Sequence, residues 1–111
     1  MSWSLYIDDE RVPKTKRSWV VVRNVDEAKT VVLESGCPSY ISFDHDLGSD
    51  IESESGYGFA KWLVDADLDG KVRIPDDFQF NVHSANPVGR ENIEAILNAY
   101  LEYKNGATTD E

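Results

Sequence analysis

Three short stretches carry the side chains able to do chemistry: Asp8-Asp9, Asp44-His45-Asp46 and His83-Ser84. Each follows a run of β-favouring residues, namely Leu5-Tyr6-Ile7, Tyr40-Ile41-Ser42-Phe43 and Phe78-Gln79-Phe80-Asn81-Val82. Ionisable groups at the end of a buried strand are costly unless they meet a metal, a ligand or one another. If the strands are parallel, their carboxyl ends share one sheet edge about 4.8 Å apart, and open α/β sheets bind ligands at that edge. A few carboxylates and water suffice for a hard divalent cation, here Mg²⁺ or Mn²⁺, with Asp8, Asp9, Asp44 and Asp46 as candidate ligands. The chain has 2 histidines, and both fall in these stretches. Carboxylates for a cation and imidazoles for proton transfer suit metal-assisted acid–base chemistry.

The remaining sequence supplies the elements that must hold these ends together. Trp19 to Val22 reads as a strand buried on both faces. Asn24 caps a helix with Glu27 as capping-box partner, Val25, Ala28 and Val32 form its apolar stripe, and Gly36 and Pro38 stop it. Gly48 is the turn after the central strand. Phe59, Trp62, Leu63 and Ala66 recur with helical spacing after Gly56-Tyr57-Gly58. Asp65, Asp67 and Asp69 read as the solvated end of that helix, since the calcium-loop pattern is incomplete. Asn86-Pro87 is a helix start, Ile93, Ile96, Leu97, Tyr100 and Leu101 are its stripe, and Asn105-Gly106 is its stop before a frayed tail over 107–111. The order β-loop-β-α-β-α-β-α predicts a parallel sheet with right-handed crossovers in a single domain over 1–111.

The composition excludes several classes. The formal charge is −10, unevenly spread: residues 1–30 carry 6 basic and 5 acidic side chains, the rest 5 and 16. General coating of DNA is therefore excluded, while attraction of metal ions follows. An acidic decoy of a nucleic-acid-binding protein is one alternative function. No apolar run approaches a membrane span and no signal peptide is evident. One cysteine, Cys37, cannot form an internal disulfide, which points to a reducing cytoplasm.

Two acids after the first strand and one after a central strand resemble the Mg²⁺ site of response-regulator receivers. The chain departs from them: no fifth strand with its lysine is evident, and the first helix is reduced to Val12–Ser18. The strings Leu5-Tyr6-Ile7-Asp8-Asp9-Glu10-Arg11-Val12-Pro13, Ile41-Ser42-Phe43-Asp44-His45-Asp46-Leu47-Gly48, Ser55-Gly56-Tyr57 and His83-Ser84-Ala85-Asn86-Pro87-Val88-Gly89-Arg90-Glu91-Asn92-Ile93 resemble the cyclic-phosphate-processing receiver-like family over roughly residues 5–103. The resemblance implies a three-layer, flavodoxin-like α/β sheet of order 2-1-3-4 with helices on both faces, truncated after its fourth strand. It also implies a role on cyclic phosphates, such as RNA 2′,3′-cyclic ends or cyclic nucleotides.

The residues can be given roles in such a reaction. Opening a cyclic phosphodiester needs an activated water and a stabilised leaving alkoxide. Asp44, His45 and His83 are the candidate catalytic groups, with His45 as acid between two carboxylates and His83 as base before a helix start. Arg90 can grip a phosphate in bidentate fashion, and Arg11, Ser84 and Asn86 complete the candidate substrate-binding set. A non-catalytic module binding a phosphate or a protein is the other alternative. The expected core is Leu5, Ile7, Val20, Val22, Ile41, Phe43, Trp62, Phe80, Val82, Ile93 and Leu97.

Overall fold

The computed structural model describes residues 3–14, 17–48 and 51–109. Four short strands, β1 (Ser4–Ile7), β2 (Trp19–Val22), β3 (Tyr40–Phe43) and β4 (Gln79–Val82), form one sheet in the order β2-β1-β3-β4. Every pairing is parallel, with Leu5 opposite Val20 and Ile41, and Ile41 opposite Phe80. Three helices follow β2, β3 and β4: α1 (Val25–Ser35), α2 (Gly56–Leu68) and α3 (Pro87–Thr109). No fifth strand occurs among the described residues.

Local chemistry sets the boundaries. The Glu27 amide donates to the Asn24 side chain at the start of α1, and Gly36 ends it with a φ of 85°. Gly48 turns the chain after β3 with a φ of 81°, a region that L side chains avoid. Asn86 caps α3 by accepting from the Gly89 amide at 3.0 Å, with Pro87 at the first helical position. α3 runs through Asn105-Gly106 to Thr109, past its expected stop. A glycine costs a helix about 1 kcal/mol but does not forbid it. The final two residues of the expected tail lie outside the described residues.

Alternation divides the sheet into two unlike faces. Leu5, Ile7, Val22, Ile41, Phe43 and Val82 pack with Val25, Ala28 and Val32 of α1, Phe59 and Leu63 of α2, and Ile93 and Leu97 of α3 in one core. Trp62 and Phe80 flank that core half-buried. The crossovers β2–α1–β3 and β3–α2–β4 advance across the sheet in the same direction, so right-handedness places both helices on one face. Only the β1–β2 connection runs the other way and reaches the second face. Between Asp8 and Trp19 that connection contains no helix among the described residues. Helices were expected on both faces; here they cover one, and Arg11 to Lys14 and Arg17 of the β1–β2 connection lie against the other.

β2 corrects a second expectation. It is an edge strand with one neighbour, so its valines are not enclosed: Val20 is 40% and Val21 37% exposed, and only Val22 is buried. Four β-branched or aromatic residues in a row do not distinguish an edge strand from a central one.

Candidate functional site

The ladder continues one residue beyond each central strand. The Asp8 amide donates to the Val22 carbonyl, the Asp44 amide to the Ile7 carbonyl and the His83 amide to the Phe43 carbonyl. The three stretches picked out by their chemistry therefore emerge side by side on the carboxyl edge of the sheet. Asp8 follows Ser4 and Tyr6, Asp44 follows Ser42, and His83 follows Gln79 and Asn81, all on the face without helices.

Asp8 is 1% exposed and fully engaged. Its Oδ1 accepts from the Glu10 and Arg11 amides, each at 2.8 Å, and its Oδ2 lies 3.0 Å from His83 Nε2. Burial raises the Asp8 pKa, but the Arg11 and Glu10 amides and the His83 ring more than offset it and hold the carboxyl below its usual range. An ionised carboxylate can only accept, so His83 Nε2 carries a hydrogen. His83 Nδ1 lies 2.6 Å from Ser42 Oγ, and its ring stacks on Tyr6 with centroids 4.5 Å apart. The imidazole is thus fixed at both nitrogens and on one face. Its carboxylate partner is Asp8.

Asp44 is also buried, at 5% exposure. It accepts hydrogen bonds from the Asp46 amide and the Ser84 side chain, yet burial and then the nearby Asp8 charge hold its carboxyl above the usual range. Asp8, Asp44 and His83 each offer a ligand atom within 4.8 Å of the other two. An open cavity of about 300 Å³ lies over this edge, lined by Asp8, Asp9, Asp44 and Asp46, with Arg11 at its rim.

Family-level comparison decides what kind of domain carries this edge. The model of the cyclic-phosphate processing receiver domain matches residues 3–99. The chain belongs to that family. Searches of curated proteins and of solved structures returned no significant match.

The other candidate residues of this receiver domain fall into distinct places. His45 leaves β3 on the opposite side from Asp44 and meets the start of α3, where a Cβ on Gly89 would lie 2.3 Å from its ring. His45 Nδ1 is 3.0 Å from Asp46 Oδ1, and this hydrogen bond is the main cause holding the Asp46 carboxyl below its usual range. Asn86 donates to the same Asp46 oxygen at 3.4 Å. His45, Asp46 and Asn86 thus form a side group apart from the Asp8–Asp44–His83 set. Arg90 is directed along α3 to Glu94, 3.5 Å away. Arg11 lies 3.6 Å from Asp8 Oδ2. Ser84 Oγ also accepts from the Asn86 amide, joining the Asp44 loop to the α3 cap.

Three positioning residues escaped the sequence reading. Arg23 Nη1 donates to the Asp8 carbonyl at 3.0 Å and the Arg11 carbonyl at 2.6 Å, pinning the loop that carries Asp8's amide partners. Gly56 seats α2 on the β3 end: its amide donates to the His45 carbonyl, and a Cβ there would lie 2.1 Å from the Asp44 carbonyl oxygen. Gly89 makes room for the His45 ring. The signal for both glycines was their place at the first turn of a helix that follows a site strand. Asp67, read as part of a solvated helix end, instead accepts from the Ile74 amide and the Tyr100 hydroxyl and pairs with Lys104. Burial pushes the Cys37 thiol up to about 12, which leaves it unreactive at neutral pH.

Proposed function

We propose that this domain is a metal-assisted phosphoesterase that opens cyclic phosphates, at RNA 2′,3′-cyclic ends or in cyclic nucleotides. The observation carrying this reading is the buried pair Asp8 and Asp44 with His83, three groups within 4.8 Å beside an open cavity. The donor set fits a divalent cation. Two carboxylate oxygens suit Mg²⁺ or Mn²⁺, and a cation would offset the burial and the nearby Asp8 charge that hold the Asp44 carboxyl up. Asp8 and Asp44 would hold the ion, with Asp9 and Asp46 on the cavity wall to hold its water. When bound, it supplies charge neutralisation at the phosphoryl oxygens and the leaving alkoxide.

The chain's own groups supply the proton transfers. His83, held in one orientation by Asp8, Ser42 and Tyr6 with its Nε2–H on Asp8, is the group placed to take the proton of the attacking water at Nδ1 and to give it to the leaving oxygen as its P–O bond breaks. Asp8 stabilises the imidazolium that results. His45 holds Asp46 and the α3 cap, a positioning role in this scheme. Arg11 is the cation nearest the cavity and takes a phosphate oxygen.

The test is a product screen of 2′,3′-cyclic-ended oligoribonucleotides and cyclic nucleotides, with and without Mg²⁺ or Mn²⁺, on wild type and Asp44→Asn. Metal-dependent turnover by wild type alone is the expected result. Binding without turnover would favour a non-catalytic phosphate-binding module. Neither turnover nor binding would refute the proposal.

A further inference from the structure

The sheet face without helices carries features the reaction does not require. Tyr6, Trp19 and Tyr40 form a row across it, with Tyr6–Trp19 centroids 5.4 Å apart and Trp19–Tyr40 centroids 5.6 Å apart. These rings line a cavity of about 330 Å³ together with Arg11, Lys14, Asn81 and His83. That volume is at the lower end of the range for small-ligand sites, enough for one nucleoside. A second hollow of about 590 Å³ shares Tyr40 and Asn81 but is also lined by Phe80 and by Glu94, Asn98 and Leu101 of α3.

Charge is distributed to match. Between Glu10 and Asp26 the chain places 5 of its 11 lysines and arginines and no acid, in a molecule of formal charge −10. Four of the five fall in the β1–β2 connection, and of these Arg11 and Lys14 line the aromatic cavity. Arg17 sits over the Tyr40 ring at 4.4 Å and the Trp19 ring at 5.6 Å. Aromatic faces interleaved with cations are what single-stranded nucleic acid binds: bases stack and the backbone follows the charges. One cation would serve a lone phosphate; a strip of them serves several.

His83 joins this surface to the site. Its Nδ1 faces Ser42 on the floor of the aromatic cavity and its Nε2 faces Asp8. A ligand lying along the rings therefore ends at the Asp8–Asp44–His83 group.

We infer that this face binds the 3′-terminal nucleotides of a single RNA strand, with bases against Trp19 and Tyr40 and the backbone along Arg11, Lys14 and Arg17. The strand path stands on the rings and cations; only the identity of the terminal group rests on the phosphoesterase reading. The strand delivers that end to His83.

The test is fluorescence anisotropy with a 5′-labelled single-stranded hexaribonucleotide ending in a 3′-hydroxyl, which is not turned over. Competitors are the same hexamer with a 2′,3′-cyclic end, its duplex, and a nucleoside 2′,3′-cyclic monophosphate. Tyr40→Ala is expected to weaken hexamer binding about tenfold or more. Lys14→Glu, at an exposed side chain, should weaken it severalfold and flatten its salt dependence. The duplex and the mononucleotide should each compete at least tenfold less well. Should Tyr40→Ala not fold, Lys14→Glu carries the test alone. Hexamer affinity equal to wild type in the folded variants, or a mononucleotide that competes as well as the hexamer, would overturn the inference. If the cyclic end adds nothing to hexamer affinity while the variants still weaken it, the RNA surface stands and the phosphoesterase reading falls.

Discussion

Asp44→Asn should make the metal-free protein more stable while removing its function. The two carboxylates at the sheet edge have ligand atoms within 4.8 Å of each other, both nearly fully buried. At an effective dielectric of about 20, unit charges at that separation repel by about 3.5 kcal/mol. Arg11, 3.6 Å from Asp8, and the His83 ring offset part of this. The asparagine also loses some of the acceptor capacity that serves the Asp46 amide and Ser84, at a cost of about 1 kcal/mol. A net gain of about 1–2 kcal/mol remains, or about 4–8 °C in Tm. The sign follows from linkage. The folded pKa of Asp44 is raised, so the folded state takes up that proton first as pH falls, and wild type regains stability through this window. The advantage of Asp44→Asn is therefore full at neutral pH and shrinks as pH falls through the folded Asp44 value. Asp8, with its depressed pKa, acts oppositely: its stabilisation holds above the unfolded carboxyl value and is lost as pH falls through the folded one. The assay is thermal unfolding by circular dichroism at neutral pH, in chelator and in Mn²⁺. Mn²⁺ at a hundredfold over its Kd would stabilise wild type by about 2.7 kcal/mol and reverse the order. If Asp44→Asn melts below wild type in chelator, Asp44 is a structural carboxylate and the strained-pair argument fails.

The two histidines should separate in kinetics. His83→Ala should cut turnover of a cyclic phosphate by about 10²–10⁴, whereas His45→Ala should cost less than about tenfold, because it holds Asp46 from outside the central group; equal effects in initial-rate assays on folded proteins would contradict the assignment. Gly56→Ala should destabilise the domain by about 3 kcal/mol in urea unfolding, since its Cβ would meet the Asp44 carbonyl oxygen at 2.1 Å and backbone cannot yield as a side chain does. A loss below about 1 kcal/mol would show that α2 can shift without cost.

Parallel pairing and the meeting of three stretches at one edge were legible because β1, β3 and β4 are each short, apolar and followed by an acid or histidine, while the strand order came from the family resemblance. Alternation already held more: Tyr6 and Asp8, Ser42 and Asp44, and Asn81 and His83 share one parity within their strands, and His45 has the other. That parity is why Asp44 faces Asp8 while His45 turns to α3. Long-range satisfaction was not legible. Asp8 is held down by amides two and three residues on, by a ring 75 positions away, and by a loop that Arg23 pins. Arg90 illustrates the same limit, since a residue one turn into a helix is free to turn towards the site or along its own axis, and Glu94 decides it. The exposure of β2 was hidden for a related reason: Val20 and Val21 look the same in an enclosed strand and in an open one.

The missing helix and the open face have one origin. In this sheet order only the first connection runs counter to the others, so only it can layer the second face. A helix there would lie over Tyr6, Ser42 and Asn81 and would enclose the Nδ1 side of His83. The connection found here leaves that side open, with Arg11 and Lys14 lining the cavity and Arg17 over the rings. The chain is thereby deprived of a second hydrophobic layer, and Ser4, Tyr6 and Ser42 must be covered by Arg17, Trp19 and His83 instead. Those covering groups are polar or amphipathic rather than aliphatic. The same shortening that weakens the core therefore leaves His83 reachable from two sides, from the acidic cavity through Asp8 and from the aromatic one through Ser42.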